Sequence, residues 1–123
     1  MRKTILTFLF VTCCISMNAQ NTIDRATIKS SPDQVAEFCM EDIKLLSENF
    51  NQITDKQVKA LYNLFEIKYT ALSKDLTEKE LTDLTNSIKE RTKIVLGDDL
   101  YIEVSQNQDL FYRITGLAYL AQE

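Results

Sequence analysis

From Val35 onward, apolar residues recur every three or four positions, the spacing that lays a stripe along one side of an α-helix. The first such stretch carries Val35, Phe38, Cys39, Ile43, Leu46 and Phe50. It opens at Ser31-Pro32-Asp33-Gln34, with a serine to cap, a proline at the first helical position and a glutamine three residues after the cap. The second places Val58, Leu61, Tyr62, Phe65, Tyr69 and Leu72 on one face and follows Ile53-Thr54-Asp55-Lys56-Gln57. Here Thr54 caps the helix, Gln57 reaches back to the Thr54 amide, and Ile53 folds back as a hydrophobic staple. A third begins with the box Thr77-Glu78-Lys79-Glu80, buries Leu81, Leu84, Ile88, Val95 and Leu96, and ends at Gly97. Asp98 then caps a short helix to about Gln106, and Asn107 starts a last one with Leu110, Phe111, Ile114, Leu117 and Ala118. Leu100 to Val104 also alternates like a strand, but a lone strand has no partner, so the segment is assigned to helix. The pattern predicts an all-α fold, an antiparallel helical bundle of four to five helices forming a single domain over residues 31–123.

Two departures from simple amphipathicity stand out. Asp42 falls inside the apolar face of the first helix. A carboxylate there needs a water-exposed helix edge or an ion pair, with Arg91 or another base. The second helix is apolar on two sides, because Ala60, Leu64, Ile67 and Ala71 form a stripe of their own away from the main one. Lys59, Asn63, Glu66 and Thr70, with the flank at Gln57 and Lys68, are left for water. Such a helix either lies centrally in the bundle or offers its second stripe to a partner subunit or client. Leu64, Ile67 and Ala71 are therefore the candidate partner-binding residues, for a client polypeptide or for a second copy in a homodimer.

Upstream of the helices the chain changes character. Arg2 and Lys3 precede an apolar run from Ile5 to Ile15 that is too short to span a bilayer, and Ser16-Met17-Asn18-Ala19 follows. Residues 1–19 read as a signal peptide cleaved after Ala19, and residues 20–30 as a flexible lead-in. An uncleaved anchor and lipidation at Cys13 or Cys14 are the rivals, although the residues before those cysteines, Thr12 and Cys13, suit lipidation poorly. The expected location is periplasmic or secreted, with no stable membrane insertion once the leader is gone. Loss of the leader removes two basic and no acidic residues from a chain of net charge −4, which leaves about −6 over about 104 residues. That balance argues against nucleic acid and anionic membrane as partners. Cys39 alone remains of three cysteines, so the core holds without a disulfide framework. It reads as a small buried hydrophobe, with intermolecular pairing as the minority alternative.

Catalytic chemistry is scarce. The chain has no histidine, no Cys-x-x-Cys, no glycine-rich phosphate loop and no Gly-x-Ser-x-Gly elbow. Adjacent acids such as Asp98-Asp99 suit a helix start better than a metal or proton transfer. No catalytic, cofactor-binding or metal-binding residue is assigned, and a non-enzymatic, protein-binding role is expected.

The stretch from Ile53 to Tyr69 resembles the LTxxQ-motif periplasmic proteins, the Spy-like group of envelope stress proteins. In that family Leu-Thr-x-x-Gln opens a helix, and Ile53, Thr54 and Gln57 stand at the three fixed positions. A second copy falls near Val95–Val104, where Leu96 matches while Gly97 and Leu100 replace threonine and glutamine. The resemblance implies a curved helical bundle, often dimeric, acting as an ATP-independent chaperone or stress accessory protein. Two departures accompany it: chaperone members carry a basic concave surface where this chain is acidic, and metal-sensing relatives use histidines that it lacks. The alternative is a secreted inhibitor or immunity-type module with one dedicated protein partner.

Overall fold

The structure is a computed structural model and describes residues 24–120; the expected signal peptide over residues 1–19, with Cys13 and Cys14, lies outside them. Among the described residues there is no strand, and seven α-helices pack into one bundle. They are α1 (Arg25–Ser30), α2 (Val35–Asn49), α3 (Asp55–Leu72), α4 (Glu78–Leu96), α5 (Asp98–Gln106), α6 (Gln108–Thr115) and α7 (Leu117–Leu120), with a 3-10 turn at Pro32–Gln34 before α2. The all-α bundle is thus present, and the helices beyond four to five are the short pieces at its two ends.

Each long helix starts where its local chemistry says it should. At α3 the Gln57 amide donates to Thr54 Oγ1 at 3.2 Å and the Thr54 amide to Gln57 Oε1 at 2.9 Å. At α4 the Glu80 amide donates to Thr77 Oγ1 at 3.1 Å and the Thr77 amide to Glu80 Oε1 at 2.8 Å. Both are reciprocal capping boxes, which satisfy two backbone donors that the helix itself cannot. Ser31 differs from expectation: its side chain makes no cap bond, because Pro32–Gln34 winds as a 3-10 turn with the Gln34 amide on the Ser31 carbonyl. The lead-in also departs from its reading. Residues 25–30 form α1, which is too short to show a period but seats Ile28, fully buried, in the core.

Helix C-termini leave carbonyls without partners, and here long side chains from other elements reach them. Arg25 from α1 donates to the Leu72 and Lys74 carbonyls at 3.3 and 2.8 Å, closing the end of α3. Gln57 donates its side-chain amide to the Val95 carbonyl at 3.2 Å, closing the end of α4. Lys68 does the same for α6, as described below. These bonds tie α1 to α3, α3 to α4 and α3 to α6.

The core runs the length of the bundle through Phe38, Leu46, Leu61, Phe65, Tyr69, Leu72, Leu81, Leu96, Val104, Ile114 and Tyr119. Phe38 tilts against Tyr69 at 5.4 Å, and Phe111 meets Tyr101 edge-on at 5.6 Å. Cys39 is fully buried among these residues and unpaired by any disulfide, and burial pushes its thiol up to about 12. No helix among the described residues is long and apolar enough to cross a membrane.

Candidate functional site

Two features of the bundle are not explained by packing alone: a polar cluster inside the core and an apolar groove outside it. The cluster centres on Asp42, which is fully buried. Its Oδ2 accepts from Lys68 Nζ at 2.6 Å and from the Tyr69 hydroxyl at 2.8 Å, and its Oδ1 accepts from Arg113 Nε at 2.6 Å. Lys68, also fully buried, donates in addition to the Arg113 and Ile114 carbonyls at 3.1 and 3.0 Å, so its ammonium is matched by three acceptors. It also lies over the Phe65 and Tyr69 rings, 4.6 and 4.3 Å from their centroids. Arg113 extends to Glu41 at 2.9 Å, at the rim of the bundle.

The carbonyls that Lys68 caps are available because α6 stops at Gly116, whose φ of 88° places it in the left-handed region that favours glycine. Asp42 therefore bears an ion pair, as a carboxylate on an apolar face requires, but the partners are Lys68 and Arg113. Arg91 is exposed and lines the groove between α3 and α4. The flank position read for Lys68 is corrected too: the lysine stem runs along the core wall, and the ammonium finds its acceptors inside.

Burial sets the protonation behaviour of the cluster. Burial holds Lys68 below the ordinary lysine range, against the pull of Asp42. Burial and then the Asp42 charge push the Tyr69 and Tyr119 hydroxyls above the ordinary tyrosine range. The Thr85 hydroxyl is buried without a hydrogen-bond partner among the described residues. The two tyrosines keep their protons in the fold and give them up near pH 10 when unfolded, so their stabilising contribution is complete below that pH and is lost above it. Lys68 acts in the opposite sense, gaining stability as pH rises towards 10.5 and adding nothing beyond. Above pH 10.5 stability should therefore fall steeply with pH, because the unfolded chain releases the two tyrosine protons that the fold retains. In an absorbance titration of the five tyrosines, Tyr69 and Tyr119 should ionise only as helical circular dichroism is lost. Five tyrosines ionising together on an intact fold would contradict this account.

The groove lies between α3 and α4 and encloses about 280 Å³. Ala60, Leu64 and Ile67 from α3 form one wall, Ile94 and Val95 from α4 the other, and Asn63 and Arg91 mark its edges. The second stripe of α3 is divided by this arrangement. Leu64 is 5% exposed and sits in the floor, whereas Ile67 is 50% exposed at the rim. Ala71 is half-buried and lies outside the groove. Ile94 is 80% exposed, the most open large apolar side chain among the described residues. It falls off the buried face of α4, and an isoleucine standing alone on a polar helix surface gave no periodic signal in the sequence.

Ile53, Thr54 and Gln57 serve the start of α3 as caps, with Ile53 packed against the core and Gln57 also holding α4. These contacts account for all three residues locally. No group of three or more Cys, Asp or Glu residues that could hold a metal occurs among the described residues. Compared with protein-family models, with curated proteins and with solved structures, the chain matches none.

Proposed function

We propose that this chain is an exported, non-enzymatic protein-binding module that works through the α3–α4 groove, in the manner of a Spy-like ATP-independent chaperone or stress accessory protein. One observation carries the proposal: Ile67 and Ile94 both stand open on a groove whose walls are apolar. Exposed apolar residues scattered singly need no explanation, but a pair framing a concave apolar surface is what a polypeptide partner buries. The leading reading is promiscuous capture of apolar segments of unfolding clients. The acidic balance of the chain favours the second reading, a module with one dedicated partner.

The test is suppression of aggregation of an unfolding client without ATP. The wild-type protein should delay aggregation, and Ile67→Asp and Ile94→Asp should abolish the delay while leaving helical circular dichroism unchanged, since both side chains are half or more exposed. Full protection by both variants would exclude the groove as the contact face. No protection by the wild type, with tight binding of a single partner, would select the second reading.

A further inference from the structure

We infer that the α3–α4 groove receives a helical segment of a partner protein that carries an aspartate or glutamate between two apolar side chains on one face. Arg91 and Asn63 take the carboxylate, and the two ends of the groove take the apolar side chains. The inference rests on the reading of the groove as a protein-contact face and names the chemistry which that face accepts.

Among the described residues that line the groove, Arg91 alone is charged. It is exposed, and its side chain makes no ion pair or hydrogen bond with another described residue. Its own helix offers it no acid, since the neighbours one turn away are Ser87, Ile88, Ile94 and Val95. The α3 wall opposite contributes none either. In a chain with 18 acidic against 14 basic residues, this guanidinium thus faces a surface without carboxylates. The Asn63 side chain is also unbonded to any other described residue, and its amide holds two donors. A carboxylate brought by a partner is the group that uses both.

The register of the two helices fixes the order of these groups. Gln57 at the start of α3 bonds the Val95 carbonyl at the end of α4, so the helices run antiparallel from a shared level. From there Asn63 is about 9 Å along α3 and Arg91 about 6 Å back along α4, which sets them at nearly one height on opposite edges. Ile94 lies next to Val95 at one end of the groove, and Ile67, about 15 Å along α3 from Gln57, lies at the other. The groove therefore reads apolar, polar, apolar over about 13 Å.

A helix laid along this line meets it with positions i, i+4 and i+8, which share a face and span about 12 Å. Apolar residues at i and i+8 cover Ile94 and Ile67, and an acid at i+4 reaches Arg91 and Asn63. A volume of about 280 Å³ takes these side chains and leaves the partner's backbone on the rim.

Fluorescence anisotropy with labelled helical peptides, capped at both ends, tests the inference on the full purified protein. The first peptide has leucine at i and i+8 and glutamate at i+4. A second has glutamine at i+4, a third moves the glutamate to i+6 on the opposite face, and a fourth has lysine at i+4. The first should bind about fivefold more tightly than the second or third, with the margin shrinking as salt rises. Arg91→Glu, at an exposed position that leaves the fold intact, should bind the lysine peptide best. Ile67→Asp should abolish binding of all four. Equal binding of the first three peptides, or an order unchanged by Arg91→Glu, would overturn the inference and leave the groove reading standing where Ile67→Asp still abolishes binding and client protection. Peptide binding and client protection that both survive Ile67→Asp would overturn the groove reading as well. Affinity for the first peptide that falls as protein concentration rises would mean that a second copy fills the groove. No peptide binding by a protein that protects clients would leave the groove to the chain's own terminal residues or to another chemistry, and either result would overturn the inference.

Discussion

Substituting Asp42→Asn is expected to lower the free energy of unfolding by about 3–5 kcal/mol, read as a shift in the urea midpoint with an unchanged slope. Asparagine preserves the shape of the side chain, so packing does not account for the loss. What changes is that Lys68 and Arg113, both buried, lose the carboxylate that accepts from each at 2.6 Å. Taking one partner from a buried ion pair leaves the other charge without compensation in a medium that solvates it poorly. A domain of this size holds only about 5–15 kcal/mol in all, so the variant should sit close to the edge of folding. A shift below about 1 kcal/mol would mean that Lys68 is neutral in the fold and that Glu41 alone compensates the Arg113 charge.

Lys68→Met is expected to cost somewhat less, about 3 kcal/mol, and to act at a different place. Methionine fills much the same volume as the lysine stem, and Arg113 still pairs with Asp42. The loss is the ammonium, and with it the bonds to Asp42 and to the Arg113 and Ile114 carbonyls at the end of α6. Amide exchange should therefore accelerate over residues 108–120 well before it does in α3, which carries the mutation. Lys68→Arg should not rescue the variant, since a planar guanidinium cannot offer three donors from one atom to three converging acceptors. Equal acceleration of exchange in every helix would show that the ammonium supports the whole core and does not act locally on α6.

The sequence contained the helices because their signals are short-range. A capping box is complete within four residues, as at Thr54–Gln57 and Thr77–Glu80, and Gly97 marks the end of α4 at the residue itself. The stripe of Leu61, Phe65, Tyr69 and Leu72 likewise repeats within one helix, and all four are buried. Asp42 was legible as an anomaly, since a carboxylate on an apolar face must find a partner. Its partners were not legible, because Lys68 and Arg113 are 26 and 71 residues away and only the bundle brings them together. Lys68 was harder still: its position on the helix wheel borders the apolar stripe, and whether a lysine there turns outward or inward depends on carbonyls of a helix not yet formed. The groove was half legible. The double stripe of α3 announced that Leu64 and Ile67 needed cover, but α4 covers Leu64 only, and Ile94 has meaning only with Ile67 on the same groove.

The position of Cys39 has a consequence for redox chemistry. Thiol–disulfide exchange requires a thiolate within reach of solvent, and a fully buried thiol whose pKa is pushed up to about 12 supplies neither. In an oxidising medium the folded chain is therefore inert at this residue, and the unfolded chain is not. Cross-linking through Cys39 counts molecules that have opened. The cysteine thus acts as a built-in clock for loss of the fold, and covalent association through it is chemically distinct from any assembly of native chains.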